Sequence, residues 1–207
     1  MSKFIVVEGL EGAGKTTALE LIKSVLTQNT IEFVTTREPG GTPLAEKMRE
    51  IVKSETSEIL TPEAELLLMY ASRIQLIENV IKPALNSGKW VLGDRHDMSS
   101  LAYQGGGRQL PQDLIMPIRN AVLKGFEPDL TILMDIDPEI GLARAAARGA
   151  LDRIEREQIE FFQRTRAVYL ALAQQKPNVL IIDASQSLQQ VQNQISDKLT
   201  NWLAANT

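Results

Sequence analysis

The sequence predicts an α/β fold of three layers, a five-stranded parallel sheet flanked by helices. Two observations carry that expectation. Short apolar runs at 4–8, 31–35, 90–93, 129–134 and 179–182 alternate with stretches of helical periodicity, and strands that alternate with helices join by right-handed crossovers into a parallel sheet. Runs such as Leu130-Thr131-Ile132-Leu133-Met134 also lack the strict apolar–polar alternation of a half-exposed strand, as expected where both faces of a sheet are covered.

In chain order, Phe4-Ile5-Val6-Val7 forms the first strand and Thr17-Ala18-Leu19-Glu20-Leu21-Ile22 opens an amphipathic helix. Between them lies Gly9-Leu10-Glu11-Gly12-Ala13-Gly14-Lys15-Thr16, a complete G-x-x-x-x-G-K-[ST] phosphate-binding loop in strand–loop–helix context. The second strand, 31–35, runs into a Pro-Gly-Gly turn. A long helix is predicted over 61–86, with Thr61 as its cap and Pro62 in its first turn. Pro83 is expected to kink or end it before Asn86-Ser87-Gly88. The third strand, 90–93, meets Asp94-Arg95, and further helices are read at 111–124, 138–147, 155–175 and 186–204. With no repeat, low-complexity tract or linker, residues 1–207 read as a single domain.

Composition narrows the function. Cysteine is absent, which rules out disulfides and thiolate metal sites and fits a reducing cytoplasm. With one histidine, His96, a histidine-based zinc site is not expected. A net charge of −4 argues against a nucleic-acid partner. No apolar run nears the roughly 20 residues of a membrane span, and Met1-Ser2-Lys3 leads into the first strand without a signal-peptide core.

The loop chemistry points to a nucleoside triphosphate. Glycines let the backbone wrap phosphate oxygens, and the following helix turns its positive end toward them. Lys15 supplies a mobile charge for the β- and γ-phosphates, and the Thr16 hydroxyl is placed to ligate Mg²⁺. Gly9, Leu10, Glu11, Gly12, Ala13, Gly14, Lys15, Thr16 and Thr17 are therefore the candidate ATP-binding residues. The guanine-reading Asn-Lys-x-Asp motif of GTPases is absent, and five strands fall short of motor and recombinase ATPase sheets.

Four later segments look like a second, acceptor site. Thr36-Arg37-Glu38-Pro39-Gly40-Gly41-Thr42 follows the second strand, and open parallel sheets bind ligands beyond the carboxyl ends of their strands. Met69 and Arg73, four apart on the long helix, share a face that would hold a planar base. Asp94 at a strand tip suits a Walker-B-like role toward Mg²⁺ or its waters, Arg95 a bidentate phosphate clamp, and Ser99, Ser100, Tyr103 and Gln104 a hydrogen-bonding cluster. Arg144, Arg148, Arg153 and Arg156 bracket Gly149-Ala150-Leu151-Asp152, which reads as a lid at about 144–156. His96 reads as a packing or surface residue.

These motifs in order, with Glu8 leading the phosphate loop and Ser99-Ser100-Leu101-Ala102-Tyr103-Gln104-Gly105 following Asp94-Arg95, resemble thymidylate kinase over essentially the whole chain. The resemblance implies a P-loop nucleoside monophosphate kinase fold, ATP-dependent conversion of dTMP to dTDP with Mg²⁺, and a homodimer. It places Glu11 near the sugar 3′-hydroxyl, Arg95 with Arg37 or Arg49 near the acceptor phosphate, Arg73 at thymine O4, Ser100 near the base edge, Tyr103 beneath the deoxyribose and Gln104 at the border of the base. The phosphate loop holds no arginine, as in the bacterial branch with a basic lid, so Arg148 is the first candidate for the transition-state cation and Arg153 the second. Many members carry an aromatic residue where Met69 stands and Tyr where His96 stands. The residues leave two competing readings open: a kinase of another nucleotide or deoxynucleoside, and a nucleotide-dependent switch without an acceptor.

Overall fold

The computed structural model describes residues 1–55 and 57–206. Among them, β1 (Phe4–Gly9), β2 (Phe33–Arg37), β3 (Trp90–Asp94), β4 (Leu130–Asp135) and β5 (Val179–Asp183) form one parallel sheet in the order β2-β3-β1-β4-β5. Strand β1 is central, and its alternate residues enter different cores. Ile5 and Val7 pack with Ile22, Leu26 and Leu199 on one face, whereas Phe4 and Val6 pack with Leu76, Ile77 and Leu123 on the other. Burial on both sides is why β1 is apolar at successive positions.

The phosphate loop leads into α1 (Lys15–Gln28). Strand β2 starts two residues later than predicted, because Ile31 N–H closes the C-terminus of α1 by donating to Leu26 O at 3.0 Å. A helix missing from the predicted inventory, α2 (Pro43–Lys53), follows the Pro-Gly-Gly turn. Its start signals were legible: Thr42 Oγ1 accepts from Ala45 N–H, Pro43 stands in the first turn, and Glu46 faces the positive end.

The long helix forms as α3 (Pro62–Leu76), capped by Thr61, and continues through a π-helical turn at Ile77–Ile81 into α4 (Lys82–Asn86). Pro83 therefore does not end it. A proline ring removes one N–H and crowds the carbonyl one turn back, and the wide turn, in which Lys82 N–H reaches back to Ile77 O, absorbs both effects.

After β3, the short α5 (Asp97–Ser100) runs into a second π-helical segment, Leu101–Gly107, and then α6 (Gln112–Leu123) follows. The π segment lies against α8 (Ile159–Gln175), and a Cβ on Gly107 would stand 2.4 Å from the Phe161 ring. Only a glycine permits that approach, which carries Tyr103 to the mouth of the sheet. Helix α7 (Pro138–Ala146) follows β4, α9 (Leu188–Asn206) follows β5, and α8 starts four residues after the predicted position. Those residues turn instead, with Asp152 Oδ1 accepting from the N–H groups of Ile154 and Glu155. No described helix is long and apolar enough to cross a membrane.

Candidate active site

The carboxyl ends of the strands open into a cavity of about 690 Å³, at the point where the chain's crossovers from β1 diverge. One wall is the phosphate loop. Gly12 has φ 71°, and a Cβ there would lie 1.9 Å from Gly141 O on α7. Glycine is therefore demanded by both dihedral and space, and the loop backbone is held between α7 and the cavity. Helix α1 points its N-terminus at the cavity with no acidic side chain in its first turn to offset the positive pole.

Lys15 Nζ lies along this wall and donates to Gly9 O at 3.0 Å and Leu10 O at 2.8 Å. Enclosure in the cavity, followed by the nearby Arg95 charge, lowers its pKa to about 8. Thr16 lines the cavity beside Asp94, whose buried Oδ1 has no hydrogen-bond partner. A hard cation carrying nucleotide phosphates and waters needs only one or two protein oxygens. Thr16 and Asp94 fit that need, and among the described residues no cluster of three acidic or histidine ligands exists to hold a metal alone.

The opposite wall is built around Arg95. This residue has a left-handed backbone, φ 68°, which is costly for a side chain and persists only where surroundings enforce it. The enforcing group is Glu8, buried in β1. Its carboxylate accepts from His96 N–H (2.8 Å), Ser99 N–H (3.2 Å), Ser99 Oγ (2.6 Å) and Tyr169 OH (2.9 Å), and burial raises its pKa. Arg95 itself donates Nη2 to Glu11 Oε1 at 2.7 Å, and Tyr103 OH donates to Glu11 Oε2 at 2.6 Å. Burial would raise the Glu11 pKa, but Arg95 and then Lys15 outweigh it and hold the carboxyl below its ordinary value.

Behind this wall runs a second buried chain. His96 Nδ1 sits 2.7 Å from Glu38 Oε1, and Arg73 donates Nε to Glu38 Oε2 at 2.7 Å and Nη2 to Ser100 Oγ at 2.9 Å. Arg73 Nη1 is buried without a hydrogen-bond partner. His96 is buried and packs edge-on against Phe4, 5.1 Å between ring centroids, so of the two readings, packing or surface, it takes the first.

Of the predicted site, the cavity is lined by Glu11 through Thr17, Arg37, Glu38, Pro39, Arg49, Met69, Asp94, Arg95, Ser99, Tyr103 and Arg148. Gly9, Leu10, Arg73, Ser100, Gln104 and Arg153 do not line it. Gly9 and Leu10 hold Lys15 through their carbonyls; Gln104 donates Nε2 to Glu65 at 2.7 Å. Within 144–156, the segment expected to be a lid, Arg148 is largely exposed and lines the cavity, whereas Arg153 pairs with Glu65 on α3 and donates Nε to Val52 O at 2.8 Å.

Val52, Lys53 and Met134 also line the cavity without having been predicted, and three further groups of residues were missed. Glu8 stood in the motif but was assigned no role. Tyr169, which also approaches Arg95 Nη1 at 3.4 Å, lies 74 residues from it in sequence and carries no local signal. Ala184, Gln186, Leu188 and Val191 line the cavity on the side of β5. The rule that ligands sit beyond the carboxyl ends of strands would have found this last group, since Asp183 ends β5.

Comparison with known proteins agrees with this arrangement. The family model described as thymidylate kinase matches residues 7–195. A curated protein named thymidylate kinase, from Haemophilus ducreyi, is 60% identical over 202 residues, covering 97% of this chain and 94% of that protein. By these matches, with its phosphate loop and the Arg95 wall meeting at one cavity, this chain belongs to the thymidylate kinase family.

Proposed function

We propose that the protein transfers the γ-phosphoryl group of ATP to dTMP, yielding ADP and dTDP. The observation that carries this is the two-walled cavity. The triphosphate cradle, whose Glu11 accepts from Arg95 and Tyr103, shares one cavity of about 690 Å³ with those two residues. A dTMP phosphate oxygen attacks the γ-phosphorus in line while the bond to the β–γ bridging oxygen breaks, and ADP carries that oxygen away. Phosphate monoesters have a second pKa near 6, roughly, so the nucleophile is already ionised and needs no general base.

The work of the protein is positioning and charge stabilisation. Lys15 and the α1 N-terminus hold the donor phosphates, Arg95 with Arg37 or Arg49 holds the acceptor phosphate, and Arg148 brings positive charge to the transferring group. Thr16 and Asp94 would hold Mg²⁺, which would supply positive charge to the donor phosphates when bound. Glu11 and Tyr103 flank the deoxyribose. Met69 covers a face of the base, and Arg73 is the group assigned to thymine O4, its guanidinium lying behind the wall with Nη2 on Ser100 Oγ at 2.9 Å and Nη1 3.8 Å from Asp97 Oδ1, with Ser100 and Gln104 supporting that side. A guanidinium there accepts a carbonyl and opposes the amino donor of cytosine. Residues 1–207 act as one kinase unit with a lid at about 144–156.

ADP release measured with ATP and Mg²⁺ against dTMP, dUMP, dCMP, dGMP, AMP and thymidine tests the reading. A rate strongly favouring dTMP is expected. Turnover with thymidine would remove the phosphate-clamp role of Arg95, and ATP binding without turnover on any acceptor would make the protein a nucleotide switch. The same reading makes it a cytoplasmic homodimer. Leu44 and Ile51 on α2 and Leu67 on α3 are at least half exposed, the apolar surface a second copy would cover. Light scattering is expected to give twice the 22.9 kDa of one chain.

A further inference from the structure

The lid is tied to the body of the protein at one buried carboxylate, Glu65. This side chain is 1% exposed and lies on α3, where the phosphoryl-transfer site makes no direct use of it. Two of its partners belong to the body: Gln104 Nε2 at 2.7 Å, and Arg108, which donates Nε at 3.3 Å and Nη2 at 3.1 Å. The third, Arg153 Nη2, arrives from the lid. Burial would raise the Glu65 pKa, but Arg108 and then Arg153 and Gln104 hold the carboxyl below its ordinary value, so it is ionised at neutral pH.

Other contacts hold the lid: Ile154 packs into the apolar core, and the remaining polar ties are exposed or reach only backbone. Asp152 pairs with Lys53 at 2.6 Å, and Arg156 with Glu55 at 2.5 Å, both with partners at least a third exposed. Exposed pairs of this kind contribute little. Arg153 adds Nε to Val52 O, and its N–H reaches Lys53 O at 3.4 Å. Among the described residues of 144–156, Arg153 is the cation that pairs with a buried carboxylate, whereas Arg144 reaches the Ala184 carbonyl.

The placement of its neighbours gives that contact a consequence. Asp152 and Ile154, on either side of Arg153, both line the cavity, as does Arg148 five residues earlier. Seating Arg153 on Glu65 therefore presses its two flanking residues onto the cavity wall. On α3, Glu65, Met69 and Arg73 are spaced by four, so one stripe carries the lid anchor, a cavity-lining side chain and the guanidinium behind the acceptor wall.

We propose that Glu65 is a positioning residue for phosphoryl transfer. Through Arg153 it holds the lid closed, and on α3 it links that closure to the helix that receives the acceptor. The inference rests on the kinase reading above, and it gives Arg153 a mechanical rather than a charge-neutralising role.

Arg153→Ala leaves Glu65 paired with Arg108 and Gln104, so this variant keeps the buried charge satisfied and its melting temperature checks folding. Its kcat is expected to fall about tenfold, with KM for dTMP changed less than about threefold. Amides in 150–157 are expected to exchange faster with ATP analogue and dTMP bound. ADP formed without dTDP is expected to rise as water enters. Arg153→Lys restores part of the rate. Glu65→Gln shows the same pattern, and the double variant falls no further than either single one. Arg148→Ala, by contrast, is expected to lower kcat by about 10²-fold or more while lid exchange stays as in the unaltered protein. Wild-type kcat and lid exchange in Arg153→Ala would overturn the proposal, as would multiplicative losses in the double variant. If the unaltered protein does not turn over dTMP, it is the kinase reading that fails, and lid exchange with ATP analogue alone still reports on the Glu65–Arg153 tie.

Discussion

Arg95→Ala is expected to lower kcat/KM for dTMP by about 10²–10³-fold, as loss of a phosphate-orienting, charge-neutralising donor does in a closed site. The loss has two sources. The acceptor phosphate would be deprived of its bidentate clamp, and Glu11, now without the 2.7 Å pair to Arg95 Nη2, would keep only Tyr103 and the more distant Lys15. An uncompensated carboxylate beside a phosphate repels it, so the acceptor KM rises together with the fall in kcat. Arg95→Lys is expected to recover little, because an ammonium cannot serve Glu11, Ser99 and a phosphate in one plane. Removing a partner from a largely buried ion pair also destabilises, by roughly 3–5 kcal/mol. Steady-state kinetics with dTMP varied, beside thermal melts of the same samples, separates these effects. A variant with unchanged acceptor KM would place the phosphate elsewhere, on Arg37 or Arg49.

Lys15→Ala is expected to cut kcat by about 10²–10³-fold, with the loss lying on the donor side. The lowered pKa of Lys15, about 8, adds a pH signature that alanine removes. Below pH 8 the free protein already carries the ammonium, and binding a triphosphate takes up no proton at this residue. Above pH 8 the amine is largely neutral, the incoming phosphates raise its pKa, and binding takes up a proton. ATP affinity should therefore decline as pH rises from 8 to 9, by at most about tenfold from this one group. Calorimetry in buffers of different ionisation enthalpy reads the uptake directly. A pH-independent affinity in the unaltered protein, or the same decline in Lys15→Ala, would assign the proton to another group.

Much of this architecture is local, and for that reason legible. The strand runs, the Thr61 cap with Pro62, and the Gly-rich loop before α1 are all set by residues within a few positions of one another. Their dihedral preferences and periodicity do not depend on the rest of the chain. Where reading failed locally, a neighbouring element had intervened. Pro83 passed through a helix because a π-helical turn relieved it, and β2 began late because Ile31 was used to close α1. Helix α2 was a plain omission, since its cap and first-turn proline stand in the sequence.

The sequence by itself determined that this protein folds as a parallel α/β sheet, carries a complete phosphate-binding loop after its first strand and bears the motifs of one kinase family. The tertiary structure alone decided how the arginines divide their labour. Arg95 and Arg148 reach the cavity, Arg73 stands behind its wall, and Arg153 is taken by Glu65. Guanidinium groups look alike in sequence, and what distinguishes them is the acid each one meets. Those acids lie far away along the chain: Glu11 is 84 residues from Arg95, Glu38 is 35 from Arg73, and Glu65 is 88 from Arg153. Such pairs are chosen by strand order and helix packing, and no local spacing encodes them.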